Sequence, residues 1–399
     1  MKTTIMSGSR SLSFSLLLVW ACLLAVESFV PASSPRFTAI TTTTTTSESS
    51  TGCTTSTTAL FAVSSLVRKA KEAELRKNLK ENGISDDVME SYKVIQEALN
   101  KKKDGDEDEA PKEMGALQQS LTRRKGTITV IAEYKRKIAD GANGYINVNG
   151  SADQETARLA ANSPDLLSGE FREFGAAGIA VLADERMGGC DYADIAAFVE
   201  EQRRASNEVP GPVPVINSDV IVDEVQIAQS AAIGAKAVIL DFELLSGVED
   251  VTKLALAARS VGLEVIVAVR TKEEAQAAID AVGGSFMISV VGTSGVEEKV
   301  AVIHGLEIAD DVTITTIANI LHRSDQGLAE VEEAWSCRDK GFNCAWVSDA
   351  LYKAGNSQSE HPGAIIRSMA AKSSVRWASP VAKSGRGEGA KEYLGDILM

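Results

Sequence analysis

The 399-residue chain reads as an α/β protein, a (β/α)8 barrel behind an N-terminal helical extension. Three observations predict it. Between residues 126 and 370, short runs rich in β-branched residues recur eight times, apolar throughout as in strands buried on both faces of a parallel sheet. Stretches of helical period separate them. Several helix-to-strand junctions also share one form: AAGIAV, IGAKAV, SVGLEV and KGFNCAW. Eight such units in this span match the size of a (β/α)8 barrel, whose functional residues lie at the C-terminal ends of the strands. A doubly wound open sheet is the alternative, but the glycine-rich loop it needs after the first strand is missing.

The elements follow in order. Residues 1–28 read as a signal peptide, with Lys2 and Arg10 ahead of an apolar run at 15–26 that is too short to cross a bilayer. Residues 29–62 are Ser/Thr-rich and poor in acids, like a transit peptide. Together they resemble bipartite leaders that direct proteins to a plastid; secretion with an O-glycosylated threonine tract is the other reading. Residues 63–125 form a helical arm and charged linker, broken at Gly83, which suits a helix C-cap, with Ser85 suited to the next N-cap. The barrel strands are expected at 127–134, 178–184, 213–218, 236–241, 263–270, 285–292, 312–318 and 344–351. Residues 371–399 form a tail, a linker with an apolar end at Tyr393, Leu394, Ile397 and Leu398.

Composition narrows the function. Asp and Glu (55) outnumber Lys and Arg (41), and a net charge of −14 argues against general nucleic-acid binding, which needs a basic surface. Outside the leader the cysteines are Cys190, Cys337 and Cys344, an odd number and no disulfide framework. The three histidines (304, 322, 361) lack metal-ligand spacing, so no metal and no cofactor are implied. The mature form is expected to stay off the membrane. A small-molecule ligand is expected at the C-terminal face of the barrel, and a protein partner would use the arm or the tail.

The chemistry gathers at the strand ends. Strand period places Glu133, Lys135 and Lys137 on one face, and a carboxylate beside a desolvated lysine suits acid–base work. A structural ion pair is the equal alternative. Later in the chain Arg270, His322, Arg323 and Asp325 fall at loop ends, with His322 and Asp325 as a new acid–base pair. Trp335, Trp346, Cys337 and Cys344 read as core.

The segments VIAEYKRK, LADERMGG and PVPVINSDVIVDEVQIAQSAAIGAKAVILD resemble the indole-3-glycerol-phosphate synthase family over about residues 66–370. That family is a (β/α)8 barrel with an N-terminal helical extension. It closes an anilino deoxyribulose phosphate with loss of carbon dioxide, a step of tryptophan synthesis. The resemblance implies that Lys135 is the general acid, a carboxy-lyase residue, with Glu133 as its partner. It places Glu185, Ser218, Arg270, Asn319 and Ser348 in the substrate pocket. The substitutions are equally specific. Gly188 replaces an aromatic residue, and Ser218 replaces the lysine of a K-D-F motif. Ala268 and Arg270 stand for E-x-N. The sixth-strand asparagine falls near Val290, and Ala318 replaces the glutamate of A-E-S-G-I. The phosphate loop S-P-S becomes Ile138-Ala139-Asp140, and the eighth-strand Gly-Ser becomes Ser348-Asp349. A non-catalytic binding or assembly role, or a new ligand, is therefore the alternative function.

Overall fold

The computed structural model describes residues 55–103, 111, 113–122, 127–139, 145–147, 163–245, 247–293, 295–310, 312–323, 328–353 and 362–371. Both leader segments up to residue 54, the tail from 372, Asp140, Asp325 and His361 lie outside them.

Eight parallel strands close into a barrel. They are β1 (Thr129–Tyr134), β4 (Gly178–Val181), β5 (Val215–Asn217), β6 (Ala237–Asp241), β7 (Glu264–Val269), β8 (Ser285–Val290), β9 (Thr313–Ile320) and β10 (Cys344–Val347). Closure comes from β1, which pairs with β4 on one side and β10 on the other. A hairpin absent from the sequence reading, β2 (Lys137–Ala139) and β3 (Tyr145–Asn147), follows β1. The expected (β/α)8 architecture is therefore observed.

The pleat sorts each strand into two faces. Ile131, Ala180, Ile216, Ala237, Ile266, Met287, Ile317, Cys344 and Trp346 fill the lumen. Alternate residues such as Val130, Val238, Val267, Ile288 and Ala318 pack outward against the helices. This two-sided burial is why the strands read as continuous apolar runs.

Among the described residues, three helices precede the barrel: α1 (Thr55–Asn82), α2 (Asp86–Lys103) and α3 (Ala116–Leu121). The break between α1 and α2 falls at Gly83, whose φ of 71° ends α1 in the left-handed region. Helix α1 begins inside the segment read as transit-like. Val88, Ile95 and Leu99 form the buried stripe of α2. Helix α3 closes the N-terminal end of the barrel. Leu117 and Leu121 enter the lumenal core, and the Glu264 carboxylate caps the helix by accepting the Leu117 and Gln118 N–H groups at 2.6 and 2.9 Å. Helix α3 thus covers the end opposite the strand C-termini.

The barrel helices are α4 (Pro164–Glu173), α5 (Tyr192–Arg204), α6 (Glu224–Ile233), α7 (Val248–Ser260), α8 (Lys272–Val282), α9 (Val296–Ile303), α10 (Leu328–Asp339), α11 (Ala350–Lys353) and α12 (Pro362–Ala370). Asp191 and Asp223 each complete a capping box at the start of α5 and α6. The two tryptophans and the two cysteines near β10 are core: Trp335 and Trp346 are each 3 % exposed, and Cys337 and Cys344 are fully buried.

Candidate functional site

Glu133 and Lys135 stand at the C-terminal end of β1, as the strand period requires. They do not pair with each other as expected. The Glu133 carboxylate is buried, and it accepts the Ser218 hydroxyl on Oε1 at 2.9 Å and the Ser348 hydroxyl on Oε2. Lys135 Nζ pairs instead with Asp349 Oδ1. The reason lies in chain order: Ser348-Asp349 follows β10, the hydrogen-bonded neighbour of β1, so its side chains meet the β1 end directly. Tyr352 locks the same strand end from behind. Its hydroxyl donates to the Glu133 carbonyl at 3.0 Å and accepts the Lys135 N–H at 3.3 Å.

Arg270, at the end of β7, forks onto Asp241 with two bonds of 2.8 and 2.9 Å and reaches Glu243 at 2.7 Å. Burial alone would lower its pKa, but the Asp241 bonds and the surrounding carboxylates raise it, so it is a permanent cation already matched by acids. His322 meets Glu330, with Nδ1 to Oε1 at 3.2 Å; Asp325, its expected partner, lies outside the described residues. Glu330 sits on α10, within reach of the β9 loop, whose Arg323 N–H it also accepts at 2.5 Å.

Parity corrects two alignments. Val290 and Ala318 pack in the outer layer, so neither occupies the lumen. Ser289 and Asn319 hold the lumenal positions, in register with Ala268 and Trp346 respectively. The seventh strand therefore presents an amide at the site rather than an apolar group. Ser289 Oγ is buried without a hydrogen-bond partner among the described residues.

The loop after β4 is built around Asp184. Its Oδ1 accepts the Arg186 and Met187 N–H groups at 3.0 and 2.9 Å. Gly188 closes the turn, and a Cβ there would stand 2.2 Å from the Leu182 carbonyl oxygen, so position 188 admits no aromatic side chain with this backbone. Glu185 is exposed and lines a cleft of about 350 Å³ between α1 and the loops after β4 and β5. The Cys190 thiol in that cleft is pushed up to about 12 by burial and is no nucleophile at neutral pH.

The arm supplies what the sequence reading missed. Lys71 of α1 is 5 % exposed and pairs with Asp184 at 2.9 Å and Asp219 at 2.6 Å. Desolvation alone would lower its pKa, yet the two carboxylates raise it. No group of three or more metal-ligating side chains occurs among the described residues, and no described helix is long and apolar enough to cross a membrane.

The model of the indole-3-glycerol phosphate synthase family matches residues 85–360. The chain belongs to that family. The synthase of Leptospira interrogans is 31 % identical over 165 residues, which cover 41 % of this chain and 55 % of that protein. The chain thus spans about half the length of that relative. The synthase of Desulforamulus reducens is 27 % identical over 58 % of this chain and 76 % of its own length. That of Koribacter versatilis is 26 % identical over 62 % and 82 %. The expected indole-3-glycerol-phosphate synthase resemblance is thereby confirmed at the family level. Helix α1 lies ahead of the matched region, so Lys71 is outside the part that the family model describes.

Proposed function

We propose that this barrel is a member of the tryptophan-biosynthesis family that no longer performs the ring closure, and that it binds a small molecule lacking a phosphate dianion. The carrying observation is that three cations at or beside the mouth, among the described residues, are matched by carboxylates of the chain itself. Lys135 faces Asp349, Arg270 faces Asp241 and Glu243, and Lys71 faces Asp184 and Asp219. A phosphate seat needs open N–H groups and uncompensated positive charge. Asp349 occupies the loop after β10 where the family resemblance expects Gly-Ser. A carboxylate about 4 Å from a phosphate charge opposes it by about 4 kcal/mol at an effective dielectric of 20. The third-strand lysine is Ser218, whose hydroxyl is engaged by Glu133. Loss of one such acid–base group removes about 10²–10⁴ in rate.

The retained Glu133 and Lys135 favour a second reading, a working synthase of the carboxy-lyase type. Expression of residues 63–399 in a tryptophan auxotroph lacking this step separates the two. Failed rescue by well-folded protein supports the proposal; growth overturns it. On leader composition we place the protein in a plastid, which a fluorescent fusion to residues 1–62 tests by its location.

A further inference from the structure

Helix α1 is tied to the barrel rim at successive turns. The Ser64 hydroxyl donates to Glu243 at 2.6 Å, Arg68 pairs with Asp250 at 2.8 Å, and Arg186 reaches Glu74 at 2.7 Å. Lys71 is the buried member of this row, with a side chain 6 % exposed against carboxylates 2 % and 0 % exposed. A buried ammonium persists only where fixed acids compensate it, and removing it leaves two uncompensated carboxylates side by side. The contact is thus more than surface decoration.

Its consequences run along hydrogen bonds. Lys71 holds Asp184 through Oδ2. The other oxygen of Asp184 organises the turn at 185–187, and the Asp184 carbonyl accepts the Gly188 N–H at 2.8 Å. The Gly188 carbonyl then accepts the Arg136 and Lys137 N–H groups at 2.7 and 3.0 Å. Lys137 Nζ reinforces the clamp by donating to the Glu185 carbonyl at 2.6 Å. These are the residues directly after Lys135. The position of the chain at Lys135 is thus set from one side by Tyr352 and from the other by the Gly188 carbonyl, whose own place depends on Asp184.

We propose that Lys71, on a helix outside the barrel, is a positioning residue for Lys135, acting through Asp184 and the Gly188 carbonyl. The proposal rests on reading the mouth as the functional site. Its test is made on ligand-free protein, so its failure is distinct from a failure of the proposed function.

The test compares the full chain with Lys71→Met, Lys71→Arg and Arg68→Ala. Two readouts are used: hydrogen exchange by mass spectrometry, and the side-chain ¹⁵N signal of Lys135, assigned by its loss in Lys135→Arg. In Lys71→Met, exchange at 184–189 and 135–138 is expected to rise together by about tenfold or more, while β8 keeps its protection. The Lys135 signal is expected to move with it. Lys71→Arg should restore both in part, and Arg68→Ala should loosen α1 without moving either. If Lys71→Met fails to fold, Asp184→Asn cuts the same path one link further on and should move the Lys135 signal with α1 still docked. Exchange that rises in α1 alone, or evenly over the whole barrel, overturns the proposal, as does an unmoved Lys135 signal.

Discussion

Ser218 and Ser348 both donate to one buried carboxylate, and that convergence defines the site at the scale of single residues. A buried carboxylate deprived of a donor is costly, so Ser218→Ala and Ser348→Ala should each lower stability by about 1–3 kcal/mol in denaturant unfolding. Because they share Glu133, the double variant should depart from additivity. Additive losses under half a kcal/mol would show that Glu133 is solvated instead. Gly188→Ala forces a methyl against the Leu182 carbonyl and should cost about 1–3 kcal/mol, seen as a lowered thermal midpoint. An unchanged midpoint would show that the turn relaxes freely. Sequence put Glu133, Lys135, Ser218 and Ser348 at strand ends, where the structure has them, because each closes a run of evident period. It named Asn319 as a pocket residue but missed Ser289 and set the motif glutamate on Ala318, because motif alignment without a pleat drifts by one residue, and one residue changes the face. Asp349 as the partner of Lys135 depends on which strand closes the barrel, and no local pattern carries that.

At the scale of elements, α1 is the part that sequence left without chemistry. Lys71 is one of many basic residues on that helix; besides its helix neighbour Glu74, its two buried acids lie 113 and more residues further along the chain. Only the fold selects it. Its partners titrate in opposite senses. Burial would raise Asp184, but Lys71 and the backbone N–H bonds outweigh it and hold it below the usual carboxylate range. Its contribution to stability is therefore present above the unfolded value and is lost as pH falls through the folded one. Burial pushes the Asp219 carboxyl up to about 6 against the pull of Lys71. Between the unfolded value of about 3.9 and that figure, the folded state keeps a proton that the unfolded state releases, so the contribution of this group to stability declines as pH rises. Asp219→Asn removes that decline. Paired unfolding experiments at pH 4 and pH 7 should show the variant gaining on the parent by about 2–3 kcal/mol over this interval. Parallel pH profiles for the two proteins would contradict the burial of Asp219.

The whole molecule shows why its fold was legible and its activity less so. Eight apolar runs separated by helical stretches leave few architectures, and a chain buried on both strand faces announces a parallel barrel. The candidate site gathers charges from β1, β7, β10 and an arm outside the barrel, and the matching of Lys135, Arg270 and Lys71 by acids is a property of the assembled rim. The central claim is that this rim no longer receives a sugar-phosphate dianion. Its most direct test is the purified full chain mixed with the anilino deoxyribulose phosphate precursor, followed by the indole fluorescence of the product. The predicted result is no product above the uncatalysed rate and no precursor binding by calorimetry at millimolar concentration. Saturable binding with turnover of about 1 s⁻¹ or faster, within the ordinary range of enzymes, would contradict it.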